Sequence, residues 1–267
     1  MTLPILPILQ ALFPGQTVVA RRAPGASSTP TWRVGLDEGE VAVKLYRDQG
    51  PAEGQAALLG VLRAQGVLVP RTQWRRTGDT FALITDWVPG ETLASALEHH
   101  PEQAGLLGLA LGKAHATLHG VALQQKALDW IPKLAAMTGL AGTQVLHLDY
   151  HPLNVLIESG EVTAILDWEN VRLGDARADV ARTLSILSVD PAVLALPAGM
   201  HAPLRAFRRG YLKGYAGVGG SVSTLAPALA WAGQFLLDDL ASRYSPDALA
   251  TARRWTASWH WRARARR

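Results

Sequence analysis

Val145-Leu-His-Leu-Asp-Tyr-His-Pro-Leu-Asn-Val-Leu-Ile157, with Ile165-Leu-Asp-Trp168 close behind it, carries two kinds of signal in one short stretch. The apolar pair Val145-Leu146 runs into a polar loop, and Val155-Leu156-Ile157 resumes the apolar run. Ser159-Gly160 is a turn dipeptide, and Val162 to Leu166 is a third short apolar segment. This pattern predicts a loop followed by a β-hairpin, with Asp149 and Asn154 at one edge and Asp167 where the hairpin ends.

The spacing is His-x-Asp-x-x-x-x-Asn, then an aspartate thirteen residues on. A single Asp or Asn in a turn serves its own backbone as often as any chemistry. This whole string between two apolar runs is far harder to explain that way. It matches the catalytic-loop spacing of kinase-like phosphotransferases. Phosphoryl transfer needs an acceptor hydroxyl in line with a phosphate, cations on the phosphates, and a carboxylate to orient the hydroxyl and take its proton. Asp149 fits the carboxylate. Asn154 and Asp167 supply two hard oxygen ligands suited to Mg²⁺ on phosphate oxygens. His147 is expected to brace the loop.

Working outward towards the N-terminus, the chain alternates strand and turn. Thr17 to Ala20, Thr31 to Val34 and Glu40 to Tyr46 read as an antiparallel meander, with a small-residue loop, Pro24 to Pro30, between the first two. That loop offers backbone N–H groups and the hydroxyls of Ser27 and Ser28 to a phosphate, although it lacks a G-x-G-x-x-G pattern. Val41-Ala-Val-Lys44 sets Val41, Val43 and Leu45 on one face and Lys44 on the other, aimed at α/β-phosphates. Glu53, early in the next helical segment, is expected to pair with Lys44, or else to be an ordinary first-turn acid. Phe81 to Ile84 reads as a strand. Asp86, Trp87 and Val88 follow as a hinge whose backbone would meet an adenine edge.

Beyond the hinge the pattern turns helical. Leu106 to Leu118 is one helix. His115 and His119 share a face there, but without a third ligand they read as structural histidines. Asp175 is expected to cap the helix after Asp167 or to brace the loop, and Asp179 reads as an early-turn acid of that helix. Leu204, Phe207, Tyr211 and Tyr215 lie along one helical face. Asp238, Asp239 and Glu169 read as surface acids with the capacity to attract a cationic acceptor.

Composition bounds the alternatives. With 267 residues there is room for two lobes, and 48% apolar against 18% charged residues is a globular balance. The absence of cysteine excludes disulfides and thiolate metal sites. Net charge is +4, with much of the excess in the tail from Arg262 to Arg267. That tail reads as a solvated helix end, so no nucleic-acid partner is expected. No charge-free stretch of roughly 20 residues suggests a membrane span. The apolar start lacks a basic n-region, so a cytoplasmic protein is expected.

With these residues collected, the chain resembles the aminoglycoside phosphotransferase family, relatives of choline and fructosamine kinases. The resemblance rests on Val41-Ala-Val-Lys44, Asp86-Trp-Val-Pro-Gly-Glu-Thr-Leu93, His147 to Ile157, Ile165-Leu-Asp-Trp168 and Gly174-Asp-Ala-Arg-Ala-Asp-Val-Ala181. It implies an α+β, two-lobed kinase-like fold. Residues 1–88 would form a nucleotide-binding lobe with a small antiparallel sheet, and 89–267 a mostly helical catalytic and substrate-binding lobe. It implies ATP and Mg²⁺, a small-molecule hydroxyl as acceptor, Asp149 as base, Asn154 and Asp167 as magnesium ligands and Lys44 as phosphate contact. The chain departs from the family at Leu148 and Leu153, where glycine is usual; a required glycine conformation would strain the loop. The alternative is a nucleotide-binding protein with little or no transfer activity. Against protein kinases, His151 stands where lysine is common, and no Phe-Gly follows Asp167.

Overall fold

The structure, a computed structural model, describes residues 5–23, 29–123, 130–134 and 140–265. Ser27 and Ser28, with residues 24–26 of the expected phosphate loop, fall outside them. The chain divides into two units, Met1–Pro89 with Leu123–Trp130, and Gly90–Ala122 with Ile131–Arg267. Sequence reading drew one boundary, at 88/89, and left residues 123–130 with the second part. The assignment of Trp130 to the first unit was not anticipated.

The first unit opens with α1 (Ile5–Leu12), then β1 (Val19–Arg22), β2 (Thr31–Leu36), β3 (Gly39–Tyr46), α2 (Gln49–Ala64), β4 (Thr72–Thr77) and β5 (Thr80–Asp86). The strands form one antiparallel sheet in the order β1-β2-β3-β5-β4. The alternation read in β3 holds. Val43 is buried with Val34, Ala82 and Ile84, and Leu9 and Leu12 of α1, with Phe13 just after it, close that face. α2 buries Ala52, Leu58, Leu59 and Leu62. At Gly54 a Cβ would stand 2.6 Å from the Trp130 ring, so glycine is what lets the indole lie against the helix.

The strand β4 was missed by sequence reading. Thr72-Gln-Trp-Arg-Arg-Thr77 lies at the sheet edge, where charged side chains guard an unpaired ladder and leave little apolar alternation.

The second unit contains β6 (Glu91–Thr92), α3 (Leu93–His99), α4 (Ala104–His119), β7 (Gln144–Leu146), β8 (Val155–Glu158), β9 (Glu161–Ile165), β10 (Arg172–Gly174), α5 (Ala176–Val189), α6 (Pro191–Leu194), α7 (His201–Gly217), α8 (Ala226–Leu240) and α9 (Ala250–Arg264). Thr92 caps α3 by accepting from the Ser95 amide. The predicted hairpin is β8–β9, and Ser159 and Gly160 both take positive φ (52° and 85°) at its turn. β6 adds to β8, and β7 pairs with β10.

α4 and α7 pack backbone against backbone. Gly108 and Gly112 on one helix, and Gly210 and Gly214 on the other, each lie where a Cβ would overlap a carbonyl oxygen of the partner helix. Only hydrogen fits there. α5 is buried nearly all round, as a helix enclosed by neighbours must be. α8 and α9 close a second core with Ile186 and Val189 of α5 around Leu236, Leu240 and Leu249. Among the described residues no helix is long and apolar enough to cross a membrane.

Candidate active site

β7 delivers the chain to buried His147, whose ring spans the loop. Its Nε2 lies 2.8 Å from the Leu166 carbonyl, which can only accept, so Nε2 carries the hydrogen. Nδ1 then accepts from the Asp149 amide at 3.2 Å. His147 thus pins the loop to the end of β9, as the sequence suggested.

The next residue is strained. Leu148 has φ +59°, in the left-handed region that β-carbon sterics penalise. Its side chain is only 2% exposed, so core packing offsets part of that cost. Its amide donates to Asp179 Oδ1 (2.8 Å), and its carbonyl accepts from Arg182 Nε (3.3 Å). The concern over a missing glycine therefore applies at Leu148. It does not apply at Leu153, which is 62% exposed in a 3₁₀ turn and has no positive φ.

The Asp149 carboxylate accepts from Asn154 Nδ2 (3.1 Å) and lies 3.4 Å from His151 Nε2. Burial pushes its pKa up. The hydrogen bond and charge of His151, with the charges of His147 and Arg182, outweigh burial and bring it down to about 2. The side chain keeps 27% exposure. It is an anion with acceptor capacity left over.

Asn154 is clamped by the same loop. Its Nδ2 also donates to the Asp149 carbonyl (3.0 Å), and its amide to the His151 carbonyl (2.9 Å). Its own carbonyl accepts from Leu166 (2.8 Å). With Val155 opposite Ile165 in the ladder, Asn154 and Asp167 flank the same end of the hairpin. Asp167 takes φ +62°, a conformation that Asp tolerates better than most residues. Asn154 and Asp167 offer oxygen donors only once Nδ2 is committed to Asp149, a donor set that fits a hard cation.

A second aspartate, read from sequence as a bland helical acid, organises this loop from beneath. Asp179 is wholly buried. Its Oδ2 accepts from the His147 amide (2.6 Å) and lies 3.1 Å from both His115 Nε2 and His119 Nε2. The other ring nitrogens meet Tyr211 Oη at 2.8 Å and Tyr215 Oη at 2.7 Å. Because Asp179 accepts at both Nε2 positions, each Nδ1 accepts from its tyrosine. Burial pushes the Asp179 carboxyl up, but the charges and hydrogen bonds of the two histidines hold it well below the usual carboxylate range. Burial, seconded by the charge of His119, brings His115 down to about 4. The three ligand atoms of His115, His119 and Asp179 lie within 4.8 Å of one another, yet every ring nitrogen already has a hydrogen-bond partner. Asp179 is thus the third ligand-type group that the sequence reading of the two histidines lacked, and its own reading is corrected: it, not Asp175, braces the loop. Asp175 caps α5, accepting from the Arg177 amide. Asp239 is also more than a surface acid, since its carboxylate receives Arg182 Nη2 at 2.8 Å.

In the first unit Lys44 lies on β3, opposite Thr31 and Leu83, and is partly exposed. Glu53 is exposed on α2 and accepts from Gln49 Nε2 (2.8 Å), a bond within the helix's own first turns in place of the ion pair expected with Lys44. At the hinge, the Asp86 and Trp87 amides are already bonded to the Arg71 and Glu40 carbonyls (2.9 and 3.1 Å). Neither of these two amides is therefore left for the base edge expected there.

The APH family model, described as a phosphotransferase enzyme family, matches residues 19–140 and 123–220. The chain belongs to this family. A search of curated proteins by sequence returns no match. Solved structures share the family's fold along almost the whole chain. An aminoglycoside-3'-phosphotransferase of type VIII is 24% identical, with TM-score 0.61 over 88% of this chain and 97% of that one. The macrolide 2'-phosphotransferase of Brachybacterium faecium is 18% identical, with TM-score 0.57 over 94% and 96%. A thermostable mutant of an aminoglycoside phosphotransferase, in ternary complex with AMP-PNP and hygromycin B, is 15% identical, with TM-score 0.61 over 95% and 96%. These likenesses bear out the kinase-like fold: a small antiparallel sheet in the first unit and a mostly helical second unit.

Proposed function

We propose that this phosphotransferase-family chain transfers the terminal phosphate of ATP, carried with Mg²⁺, to a hydroxyl of a small molecule in the cytoplasm. The observation that carries this reading is the convergence of Asp149, Asn154 and Asp167 at one end of the β8–β9 hairpin. When bound, Mg-ATP supplies an electrophilic phosphorus and the cation that neutralises its oxygens. Asn154 Oδ1 and the Asp167 carboxylate are the residues to hold that cation, and Lys44 is the phosphate contact by family resemblance. Asp149 accepts a hydrogen bond from the acceptor hydroxyl and sets its direction. A carboxylate held near 2 is a weak proton trap, so Asp149 acts first by orientation and takes the proton as the oxygen's acidity rises. The family and the ligand of the hygromycin B complex support a small polar acceptor, and an amine-bearing one suits the anionic Asp149.

The test is ADP release with Mg-ATP across aminoglycosides, macrolides, amino alcohols, amino acids and sugars. Turnover on one class, abolished by chelating magnesium, is expected. Tight Mg-ATP binding with silence across the panel would favour the alternative, a nucleotide-binding protein without transfer. Leu148 and Leu153 were the motive for that alternative. Exposure of Leu153, and the support given to Leu148 by Asp179, weaken it.

A further inference from the structure

Arg182 is costly where it stands. Its side chain is 5% exposed, and Nη1 is buried with no hydrogen-bond partner among the described residues. A buried guanidinium with an unpaired nitrogen destabilises a fold, and a hydrophobic residue of similar length is often as good or better in such a place. Stability alone therefore does not explain an arginine here. Its two made bonds point elsewhere. Nε donates to the carbonyl of strained Leu148 (3.3 Å), the peptide that leads directly into Asp149. Nη2 donates to Asp239 on α8 (2.8 Å), and the guanidinium lies 4.9 Å over the Phe235 ring of the same helix. Asp239 is 43% exposed and has a second cation, Arg243, at 3.6 Å.

We propose that Arg182 is a positioning residue: held by Asp239 and Phe235, it fixes the Leu148–Asp149 peptide so that the Asp149 carboxylate faces the acceptor hydroxyl. This rests on Asp149 carrying the reaction. Leu148 is in a conformation it would otherwise leave. Asp179 holds the amide end of that residue, and Arg182 holds the carbonyl end. With the carbonyl end released, the peptide can rotate while Asp179 still anchors the loop. An error of about 1 Å at the reacting group costs on the order of 100-fold in rate. Asp149 directs the acceptor hydroxyl rather than holding the rest of either substrate, so most of the loss belongs in kcat rather than KM.

The experiment compares wild type with Arg182→Met, Arg182→Lys and Asp239→Asn in the full chain. It reads kcat and KM, thermal midpoint, and amide hydrogen exchange of the 147–151 segment. Arg182→Met is expected to lose about 100-fold in kcat with both KM values within about threefold. Its midpoint should be unchanged or raised, and exchange of the segment about tenfold faster or more. Arg182→Lys, keeping the charge and one donor, and Asp239→Asn, which acts from a half-exposed position, should each lose about tenfold. Unchanged exchange in the Arg182→Met segment would overturn the proposal. So would an activity loss that tracks a lowered midpoint, since that is a merely structural role. The exchange arm stands whether or not an acceptor is known. A silent wild type would therefore sink the proposed function, while Arg182 is still decided by exchange.

Discussion

Two aspartates, thirty residues apart, sit in the same loop system, and each has two histidines close by. They are built to opposite specifications. Asp179 is wholly buried, and four N–H donors reach it at 3.1 Å or less. Asp149 keeps 27% exposure, and its contacts at 3.1 and 3.4 Å leave acceptor capacity over. A carboxylate whose lone pairs are all spent locally can anchor but cannot react. One left under-satisfied at a partly open position is available to a substrate. The same residue types thus divide into a saturated anchor and an available acceptor by their partners, not by identity.

Breaking the saturated member should have the larger structural effect. Asp179→Ala strands two buried backbone amides and two imidazole N–H groups. Losing one partner from a buried charged network costs about 3–5 kcal/mol, a large share of a domain's stability. Urea unfolding should show this loss or no folded protein, and a loss below about 1 kcal/mol would refute the anchoring role.

The same cluster predicts acid sensitivity. His115 sits at about 4 when folded against an ordinary 6.5 when unfolded. Between those values the unfolded chain binds the extra proton, so stability falls as pH falls through the window. At about 1.4 kcal/mol per unit, about 3 kcal/mol is lost by pH 4, and none is lost to this group above 6.5. Unfolding at pH 7, 5.5 and 4.5 should show that slope, and His115→Gln should flatten it.

The helices that carry the cluster give a third, smaller effect. Gly112→Ala puts a methyl into the Tyr211 carbonyl and must part α4 from α7, costing about 1–3 kcal/mol by overpacking. Gly105→Ala on the same helix meets nothing within 4 Å and should be neutral or stabilising. Equal melting points for the two variants would contradict the close approach.

Of similar size is the net of the strain contest at Leu148. Glycine removes about 1–2 kcal/mol of left-handed penalty. It also removes a buried leucine, worth about 2–5 kcal/mol even as an alanine truncation. Leu148→Gly should therefore be destabilising by about 1–3 kcal/mol net, and a gain in stability would mean that strain outweighs packing.

How legible each region was follows from sequence separation. His147, Asp149, Asn154 and Asp167 lie within about twenty residues, so a local spacing is enough to suggest the roles proposed for them. Asp179 reaches His147, His119 and His115 across 32, 60 and 64 residues, so no local pattern names it. A signal was nonetheless present: an acid and an arginine, Asp179 and Arg182, inside a helix whose other residues are mostly small or apolar. Asp179 was read instead as an early-turn acid, which the start of many helices carries. The β8–β9 hairpin announced itself by Ser159-Gly160, while β4 lacked the apolar alternation that marks a half-buried strand. Leu148 shows the limit from the other side. The missing glycine was visible, but only the backbone tells which of two leucines bears the strain.

The measurement closest to the central claim is turnover of Asp149→Asn beside wild type, on whichever acceptor the panel yields, with the thermal midpoint of both. A folded variant with an unchanged midpoint and a loss of about 10²- to 10⁴-fold in kcat is expected. Retained turnover in a folded Asp149→Asn protein would contradict it, and the chemistry would have to be sought away from this loop.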